Sequence, residues 1–591
     1  MDKIEDRLGA VREEMKAENL DAFLVPRADE YLGEYVPDHN ERLRWISGFS
    51  GSAGFVVLLK DSAAIFVDGR YTIQVQQQVP GHLFEFHHLI EDPPLAWLGR
   101  TLKKKARVGI DTRLHPYSFF KTASGTLSAL HIQLVEMKKN PIDQHWTNRP
   151  IPEPELALLL GEEFTGEHSS KKRERIGAIV EAEGGDAVLI TQLDSIAWLL
   201  NIRGADIPRL PVLLGFAILH KNGEMVFFTD PRKIPNDLFQ HVGEGVIIRD
   251  DASIIEALIE LGSKKSKILV DENTSNAFSV LRCIENGCEI IAATDPVLIP
   301  KAQKNAIELG GIRNCHIRDG SALSQYLHWL EKEVAAGNLY DEGQLADRLE
   351  SFRMELSDIH DLSFNTISAT GANGALCHYN HLNGVPAMLE MNSLYLVDSG
   401  GQYLDGTTDV TRTVIIGKPS DEHKKMFTLV LKGHIALATA VFPRGTSGVQ
   451  LDVLARQFLW HEGLDYDHGT GHGVGSFLCV HEGPQRISKL PSPNAQLLPG
   501  MVLSNEPGYY KEDCYGIRCE NLMIVKERPD GMLNFETITF VPFDLRLVDK
   551  ALLSEAESGW INQYHSDVCQ KLSPLLKGDD LRWLEESTSS I

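Results

Sequence analysis

The segment between Asp398 and Glu520 constrains this chain more than any other feature of its sequence. Four of its acidic residues and one of its histidines stand beside apolar runs or among glycines. The side chains that can bind a metal ion through oxygen or nitrogen are Asp398, Asp409, His472, Glu506 and Glu520. Four carboxylates and one imidazole suit a pair of divalent cations. Oxygen donors favour Mn²⁺, and the imidazole leaves Zn²⁺, Co²⁺ and Fe²⁺ open.

The local sequence around these acidic residues indicates strands and turns. Asp398 ends an apolar strand, and the glycines between it and Asp409 predict a hairpin with a bulge or longer loop that sets the two carboxylates side by side. Glu506 stands directly before a proline, which marks the end of its strand. Arg518 and Glu520 alternate in an extended run, so we expect both on one face of a strand.

His468 and His472 lie among glycines at positions 469, 471, 473 and 475. Glycine at every second position disfavours a helix, so we expect an extended segment in which the two histidines share a face. The same glycines would let the backbone of a substrate approach closely.

Each of these residues also has an ordinary structural interpretation. A lone aspartate near a turn is usually a cap, and a lone buried histidine usually makes a hydrogen bond in a core. Arg518 and Glu520 would then form an ion pair worth at most about 1 kcal/mol if exposed, and Cys377 to His381 would be a polar loop. The recurrence of strand-end carboxylates beside a His-Gly-x-Gly-His-Gly segment favours a metal site instead.

The composition excludes several classes of protein. At 591 residues the chain is too long for one hydrophobic core, so about two to four domains are expected. A net charge of −24 argues against nucleic-acid binding, and no apolar run is long enough to span a membrane. The first residues lack the apolar segment of a secretion signal. The eight cysteines all follow residue 280 without a Cys-x-x-Cys pair, which favours free thiols in a reducing cytoplasm.

A helix-and-strand pattern occurs twice in the first half of the chain. Its first copy has one apolar helical face within residues 3–18 and apolar strands at 23–25, 55–59 and 63–67. A helix, an Asp-Ala pair and an apolar strand return in the same order after residue 176. The pattern predicts two related α/β domains, 1–145 and 150–300, although this local arrangement is also common by itself.

The remaining residues, 301–591, form a third predicted domain that contains the metal-site candidates. The prolines at 149–154 and at 296 and 300 mark the two joints before it. The helices expected in it lie at 301–336, at 341–352, near 421–441, near 450–462, and in a C-terminal extension around Trp560, Tyr564, Val568 and Leu572 that leads to a polar tail after Gly578.

Several motifs resemble those of the metallopeptidase family with the pita-bread fold, which includes methionine aminopeptidase, prolidase and aminopeptidase P. Within it the chain is most similar to the three-domain cytosolic aminopeptidase P, also called Xaa-Pro aminopeptidase. The motifs are Val397–Gly400, Asp405–Thr413, His468–Gly475, Val480–Pro484, Asn505–Tyr510, Ser47–Gly54 and Asp68–Tyr71. Cys519 departs from the aliphatic residue usual in the family, and Asn505 from an aspartate or valine.

The resemblance implies two creatinase-N-like α/β domains followed by a pita-bread α+β metallopeptidase domain. It also implies an aminopeptidase that releases the N-terminal residue when proline is second. Asp398 would bind one of two divalent ions, most simply Mn²⁺ with Zn²⁺ or Co²⁺ as alternatives. His472 and Glu506 would bind the other, and Asp409 and Glu520 would bridge them. A bridging hydroxide would be the nucleophile, and Glu506 would also move the proton.

The resemblance assigns further roles to residues that do not bind metal. His378 and His481 would contact the substrate carbonyl and stabilise the oxyanion. His468 would line the substrate pocket, and Arg518 would support a metal-binding glutamate. Arg70 would reach the substrate from the first domain.

Alternatives remain at this stage. A prolidase would cleave only Xaa-Pro dipeptides, but prolidases usually have a single N-terminal domain. A non-catalytic peptide- or histone-binding relative would keep the fold without the ligands, and creatinase works without metal, whereas all five ligands are present here. From the resemblance we expect a cytoplasmic homodimer that acts on peptides with proline at position two and binds neither nucleic acid nor a membrane.

Overall fold

The computed structural model describes residues 3–356, 358–490 and 495–591. The chain divides into two compact units, Met1–Gly161 with Glu167–Leu298, and Glu162–Gly166 with Ile299–Ile591. Among the described residues, no helix combines the length and the apolar character that crossing a bilayer requires.

The first unit contains two α/β halves. The first half consists of α1 Ile4–Ala17, β1 Ala22–Pro26, α2 Arg42–Ser47, β2 Gly54–Leu59, β3 Ala63–Val67, α3 Thr72–Gln78, β4 Glu85–His88, α4 Pro94–Thr101, β5 Arg107–Ile110, α5 Tyr117–Ala129, β6 Gln133–Glu136 and α6 Pro141–His145. The predicted first helix is confirmed, because α1 buries Leu8, Val11 and Met15.

The second half begins after a short extended segment. Its elements, with α7 belonging to the second unit, are β7 Leu158–Leu159, α7 Glu162–Thr165, α8 Ser169–Ala182, β8 Ala187–Ile190, α9 Leu193–Leu200, β9 Ile202–Arg203, β10 Phe216–His220, β11 Met225–Phe228, α10 Leu238–Val242, β12 Val246–Arg249, α11 Ile254–Ser263, β13 Lys267–Val270, α12 Ala277–Glu285, β14 Glu289–Ala292 and α13 Leu298–Ala302.

The sheets of the two halves have the same topology. The strand orders are β4-β3-β2-β1-β5-β6 and β12-β11-β10-β8-β13-β14. In each sheet the first strand pairs antiparallel with the next long strand and parallel with the fifth in chain order. This correspondence confirms the predicted pair of related α/β domains. Their boundaries at 145, 150 and 300 stay predictions.

The second unit continues from α13 with mixed helices and sheets. Its elements are α14 Ala306–Ala335, α15 Glu342–Met354, β15 Ile359–Leu362, β16 Ile367–Thr370, β17 Ser393–Ser399, β18 Gly401–Tyr403, β19 Gly406–Thr407, β20 Val410–Ile416, α16 Asp421–Ala438, β21 Val441–Phe442, α17 Gly448–Trp460, β22 Gly471–Gly473, β23 Glu482–Ile487, β24 Val502–Asn505, β25 Gly508–Lys511, β26 Tyr515–Arg518, β27 Asn521–Glu527, β28 Leu533–Thr537, α18 Glu555–Leu572 and α19 Gly578–Ser587.

Two helix-on-sheet layers build this unit. The sheet β16-β17-β20 packs on α14 and α15 through a core that includes Tyr326, Leu349 and Val397. The sheet β21-β28-β27-β24-β22-β23 packs on α16 and α17 through a second core that includes Leu437 and Leu503. The opposite face of each sheet also buries apolar residues, in two further clusters.

The predicted long helix at 301–336 is wrong at its start. The helix α14 begins at Ala306, because the Asn305 side chain accepts from the backbone N–H groups of Ile307 and Glu308, while the Glu308 carboxylate accepts from the Asn305 N–H at 3.0 Å. This capping box satisfies N–H groups that the first turn leaves without intrahelical partners.

The polar tail predicted after Gly578 is also wrong, because residues Gly578–Ser587 form α19. Leu584 is buried, and the indole N–H of Trp583 donates to Glu331 of α14 at 2.8 Å. Aspartates at the start of α19 complement its helix dipole. Apolar packing of Leu584 and Trp583, together with the bonds of Asp580 to Gln325 and His328, anchors this last helix.

Replacing Leu584 with Ala should lower the Tm of the second unit by roughly 3–8 °C, because removing a fully buried leucine costs about 2–5 kcal/mol. Differential scanning calorimetry would measure it. Leu575→Ala is the matched control, since Leu575 is 47% exposed and should change the Tm little. Equal Tm values for the two variants would show that α19 does not pack as described.

Candidate metal centre

A hairpin brings the first two candidate ligands together. Strand β17 pairs antiparallel with β20, with Asp398 opposite Thr411 and Ser399 opposite Val410, so Asp409 directly precedes the paired segment. The connection carries the small arm β18–β19, as the expected longer loop requires. At Gly400 a Cβ would lie 1.9 Å from the Thr408 carbonyl oxygen, so this turn requires glycine.

The other three candidate ligands come from neighbouring strands of the six-stranded sheet. His472 lies in β22, Glu506 directly follows β24, and Glu520 directly precedes β27. Because β22 pairs with β24 and β24 with β27, these side chains lie side by side. Ligand atoms of Asp409, His472 and Glu520 all lie within 4.8 Å of one another. His472 Nε2 is 3.3 Å from Asp409 Oδ2 and 3.5 Å from Glu506 Oε1.

Asp398 joins this group through hydrogen bonds. Arg518 Nη2 donates to Asp398 Oδ2 at 2.5 Å, and Arg518 Nε donates to Thr411 Oγ1 at 3.1 Å. The Thr411 hydroxyl in turn donates to Glu520 Oε2 at 2.7 Å. The structure therefore brings all five predicted ligands into one site, three of them buried and two half-buried.

The charges of the site call for a cation. Burial raises the pKa of Asp409 to about 6, although its hydrogen bond with His472 opposes this shift. Burial and the nearby charges of Asp409, Asp398 and Glu506 raise the pKa of Glu520 well above its usual value. For His472, burial acts to lower the pKa, but the hydrogen bond with Asp409 and the charge of Glu506 raise it to about 9.

One buried acceptor in the site also lacks a protein partner: Asp398 Oδ1 receives no hydrogen bond. Crowded carboxylates that raise one another's pKa, together with an orphaned carboxylate oxygen, are satisfied by divalent cations. The donor set therefore fits a pair of metal ions.

The predicted substrate residues lie around this group. The His481 ring packs edge-to-face against the His472 ring, with centroids 4.3 Å apart. His468 Nε2 lies 2.8 Å from the Tyr510 hydroxyl, which accepts from Arg518 Nη1 at 2.8 Å. The carbonyl of Cys377, next to His378, lies 3.5 Å from the same Arg518 nitrogen.

Arg70 belongs to the first unit, where its guanidinium pairs with Asp68 at 2.8 Å. Its predicted contact with substrate stays a prediction.

Family models match most of the chain. They are the Creatinase/Prolidase N-terminal domain at 7–139 and again at 148–308, metallopeptidase family M24 at 310–527, and the C-terminal region of peptidase M24 at 531–591. A protein named "Probable Xaa-Pro aminopeptidase P" from Coprinopsis cinerea is 40% identical over 611 residues, covering 99% of this chain and 98% of the relative. The chain belongs to metallopeptidase family M24.

Solved structures agree with this assignment. An X-prolyl aminopeptidase from Caenorhabditis elegans, described as a cytosolic enzyme with a di-nuclear active site, is 35% identical, matches over 100% of both chains and has a TM-score of 0.96. The Xaa-Pro dipeptidase from Bacillus anthracis shares the fold over 64% of this chain and 99% of its own, with 24% identity and a TM-score of 0.52. The predicted series of two creatinase-N-like domains and a pita-bread domain is confirmed.

The prediction that Arg518 and Glu520 share one face of one strand is wrong. Strand β26 ends at Arg518 and β27 begins at Asn521, so Glu520 lies where the chain passes from one sheet to another. The two side chains meet at Thr411 rather than on a common strand face. Arg518 pairs with Asp398, which also replaces the simple Arg518–Glu520 ion pair considered as an alternative.

The sequence did not predict the residues that support the glycine-rich segment of this site. The fully buried Arg456 of α17 donates to the His468 carbonyl at 2.8 Å and to Asp452 at 2.6 Å, and Asp452 accepts from Thr470 at 2.6 Å. Asp452 and Arg456 are spaced four apart on a helix, a spacing from which an ion pair between them could have been predicted. Together they fix the glycine-rich segment that presents His468 and His472.

A second buried ionic group lies beside His481. The next residue, Glu482, is buried and forms ion pairs with Lys301 and Lys304. The lysines precede α14, far from Glu482 in sequence, so no local pattern could have indicated this group.

A third buried group, centred on Arg412, connects helix α18 to the metal site. The Arg412 guanidinium donates to the Glu520 carbonyl at 2.6 Å, to the Thr411 carbonyl at 2.8 Å and to the hydroxyl of Tyr564 in α18 at 2.8 Å. It also lies over the Phe543 ring, 4.1 Å from its centroid. One arginine therefore bonds both to the backbone of β20, in the hairpin, and to the backbone directly before β27, in the six-stranded sheet.

Replacing Asp409 with Asn should abolish binding of both metal ions, because it removes a carboxylate charge at the centre of the donor set. Plasma emission spectrometry on purified, metal-loaded protein would measure the metal content. Asp405→Asn is the control: Asp405 lies in the nearby turn between β18 and β19 but pairs with Arg318 at 2.5 Å, so this variant should keep the metal. A full complement of metal in Asp409→Asn would refute the ligand assignment.

Proposed function

We propose that this protein is a metal-dependent aminopeptidase that hydrolyses the bond between an N-terminal residue and a penultimate proline. The observation that carries the proposal is the convergence of all five candidate ligands, with His481 packed against His472 at 4.3 Å. The full-length similarity to proteins named Xaa-Pro aminopeptidase P supports the same substrate class.

In this proposal Asp398 would hold one divalent ion, His472 and Glu506 would hold the other, and Asp409 and Glu520 would contribute to both sites. A bound metal pair lowers the pKa of water and stabilises negative charge at the reacting carbonyl. The carboxylate-rich donor set favours Mn²⁺, with Zn²⁺ or Co²⁺ as alternatives. Elemental analysis of protein purified without added metal would identify the ion.

The chain's own side chains supply the proton transfers and the oxyanion contacts. Glu506 Oε1 accepts from the Ser504 hydroxyl at 3.1 Å, which orients the carboxylate to take a proton from the attacking water. The same carboxylate then delivers the proton to the proline nitrogen as it leaves. His481 and His378 donate to the substrate carbonyl oxygen as negative charge develops on it.

Specificity follows from the chemistry of the Xaa-Pro bond. This bond is a tertiary amide without an N–H group, so a site that requires that donor rejects it. The glycine-rich segment and the His468 ring, fixed by Tyr510 and by Tyr466 at a centroid distance of 4.8 Å, offer a flat surface for the proline ring. The free N-terminal amine lies near the carboxylates, which limits cleavage to the first residue.

Prolidase activity is the second candidate. The dipeptidase from Bacillus anthracis matches 64% of this chain, whereas the relatives named aminopeptidase P match nearly all of it. The additional α/β domain therefore favours the aminopeptidase. A non-catalytic relative is disfavoured because no ligand is missing.

We further propose that the protein is a cytoplasmic homodimer whose partners are peptides with proline at position two, without nucleic-acid or membrane binding. The family resemblance and the net charge of −24 support this. Light scattering coupled to size-exclusion chromatography would test the dimer.

Four substrates separate the candidate activities. We expect rapid release of the first residue from Xaa-Pro-Xaa, little from Xaa-Ala-Xaa, and none from N-acetylated Xaa-Pro-Xaa, because acetylation removes the amine. The tripeptide should be preferred over the dipeptide Xaa-Pro. Chromatographic product analysis at saturating Mn²⁺ would measure the rates. Cleavage of the dipeptide alone would identify a prolidase, and equal rates for the Ala and Pro tripeptides would refute proline specificity.

The roles of His378 and His481 can be tested without disturbing the metal. Replacing either with Ala should lower kcat by about 10²–10³, as for the loss of an oxyanion donor, while the metal content stays normal. His461→Ala is the control, because His461 is exposed at the end of α17. Variants with normal kcat in the folded fraction would mean that these histidines are structural.

A further inference from the structure

The carboxylate of Glu342 is buried and fully hydrogen-bonded, although it takes no part in the chemistry described so far. Glu342 is 0% exposed and is the first residue of α15. Its Oε1 accepts from the Thr370 N–H at 2.8 Å and from Asn373 Nδ2 at 2.9 Å. Its Oε2 accepts from the Tyr379 hydroxyl at 2.7 Å and from the Ala387 N–H at 2.8 Å. A position at a helix N-terminus further favours a carboxylate.

These donors all belong to the segment 370–387, which contains His378. The segment begins at Thr370, the last residue of β16, and ends at Ala387. Both residues bond to Glu342, so one carboxylate joins the two ends of the segment. Tyr379 is the residue next to His378, and its ring packs against the cluster of Ile367, Ala369 and Leu396. The position of Tyr379 is therefore fixed both by packing and by the bond to Glu342.

The opposite side of the same segment contacts β26, whose last residue, Arg518, bonds to the candidate ligand Asp398. The Cys377 carbonyl accepts from Arg518 at 3.5 Å. Gly374 and Gly516 of β26 lie in direct backbone contact, since a Cβ on Gly516 would fall 1.7 Å from the Gly374 carbonyl oxygen. The His378 segment is thus held between Glu342 on one side and β26 on the other.

We propose that Glu342 is a positioning residue for His378, acting through the Tyr379 hydroxyl and the ends of segment 370–387. This inference rests on the role proposed for His378 at the substrate carbonyl. A group that donates to a developing oxyanion must be held within about 0.5 Å of its working position. Hydrogen bonds to a carboxylate are shorter and stronger than those between neutral groups, so they restrict the movement of the segment.

The first test is Tyr379→Phe, which removes one hydroxyl and keeps the ring. We expect kcat on an Xaa-Pro-Xaa peptide to fall about 10-fold with a much smaller change in KM, because the bond from His378 to the carbonyl oxygen would strengthen as negative charge develops in the transition state. The matched control is Tyr340→Phe. Tyr340 is partly exposed like Tyr379 and donates to Glu333 at 2.8 Å outside the site, so this variant should keep the wild-type kcat.

The second test repeats Tyr379→Phe in a His378→Ala background. If Tyr379 acts through His378, it should lower kcat no further there, whereas a general structural effect would lower kcat by the same factor in both backgrounds. Glu342→Gln should lower kcat more than Tyr379→Phe, with circular dichroism and metal content confirming the fold.

The outcomes separate the two proposals. A normal kcat for Tyr379→Phe, or an equal loss in both backgrounds, overturns the positioning role of Glu342 while leaving the proposed function intact. A near-normal kcat for His378→Ala overturns the role of His378 itself, and this inference with it. A loss for Tyr379→Phe that disappears in the His378→Ala background supports the inference.

Discussion

The crowding of like charges in a buried volume is the constraint on which the second unit depends. Moving a carboxylate out of water costs several kcal/mol unless donors or cations compensate. The protein compensates only in part: Arg518 pairs with Asp398, Thr411 donates to Glu520, and Ser504 donates to Glu506. What remains is negative charge that metal ions can neutralise. The folded chain therefore stores a repulsion that is relieved when the ions bind.

Each of the three histidines proposed to face the substrate lies beside a buried charged group. Arg456 holds the carbonyl of His468, the ion pairs of Glu482 with two lysines lie beside His481, and the Glu342 carboxylate lies beside the segment of His378. The histidines themselves lie on turns and loops, which are the least rigid parts of a fold. Buried charges make directional bonds and have no solvent to exchange with, so they give loop residues the precision that helices and strands provide elsewhere.

Local sequence patterns predicted the structural features that are determined by residues close together in the sequence. The amphipathic face of α1, the hairpin after Asp398 and the repeat of the α/β half all arise from short-range spacing, and the structure has them. The start of α14 is not marked by periodicity, because the helical pattern extends past the Asn305 cap. The break at Glu520 is not marked either, because a change of sheet does not interrupt an alternating run. Glu342 and Glu482 look like ordinary acidic surface residues, and their partners lie on other elements. Resemblance to a family supplied the roles of the histidines, which spacing alone did not.

The bond between Arg412 and Tyr564 has a consequence for incomplete chains. Tyr564 lies more than 40 residues after the last candidate ligand, and it supports the arginine that holds the Glu520 and Thr411 carbonyls. A gene interrupted shortly before α18 would still encode every recognisable motif of an M24 peptidase. Its product would nevertheless lack one of the supports of the metal-binding backbone. Intact motifs in a shortened open reading frame are thus a poor guide to whether the encoded protein can form this metal site.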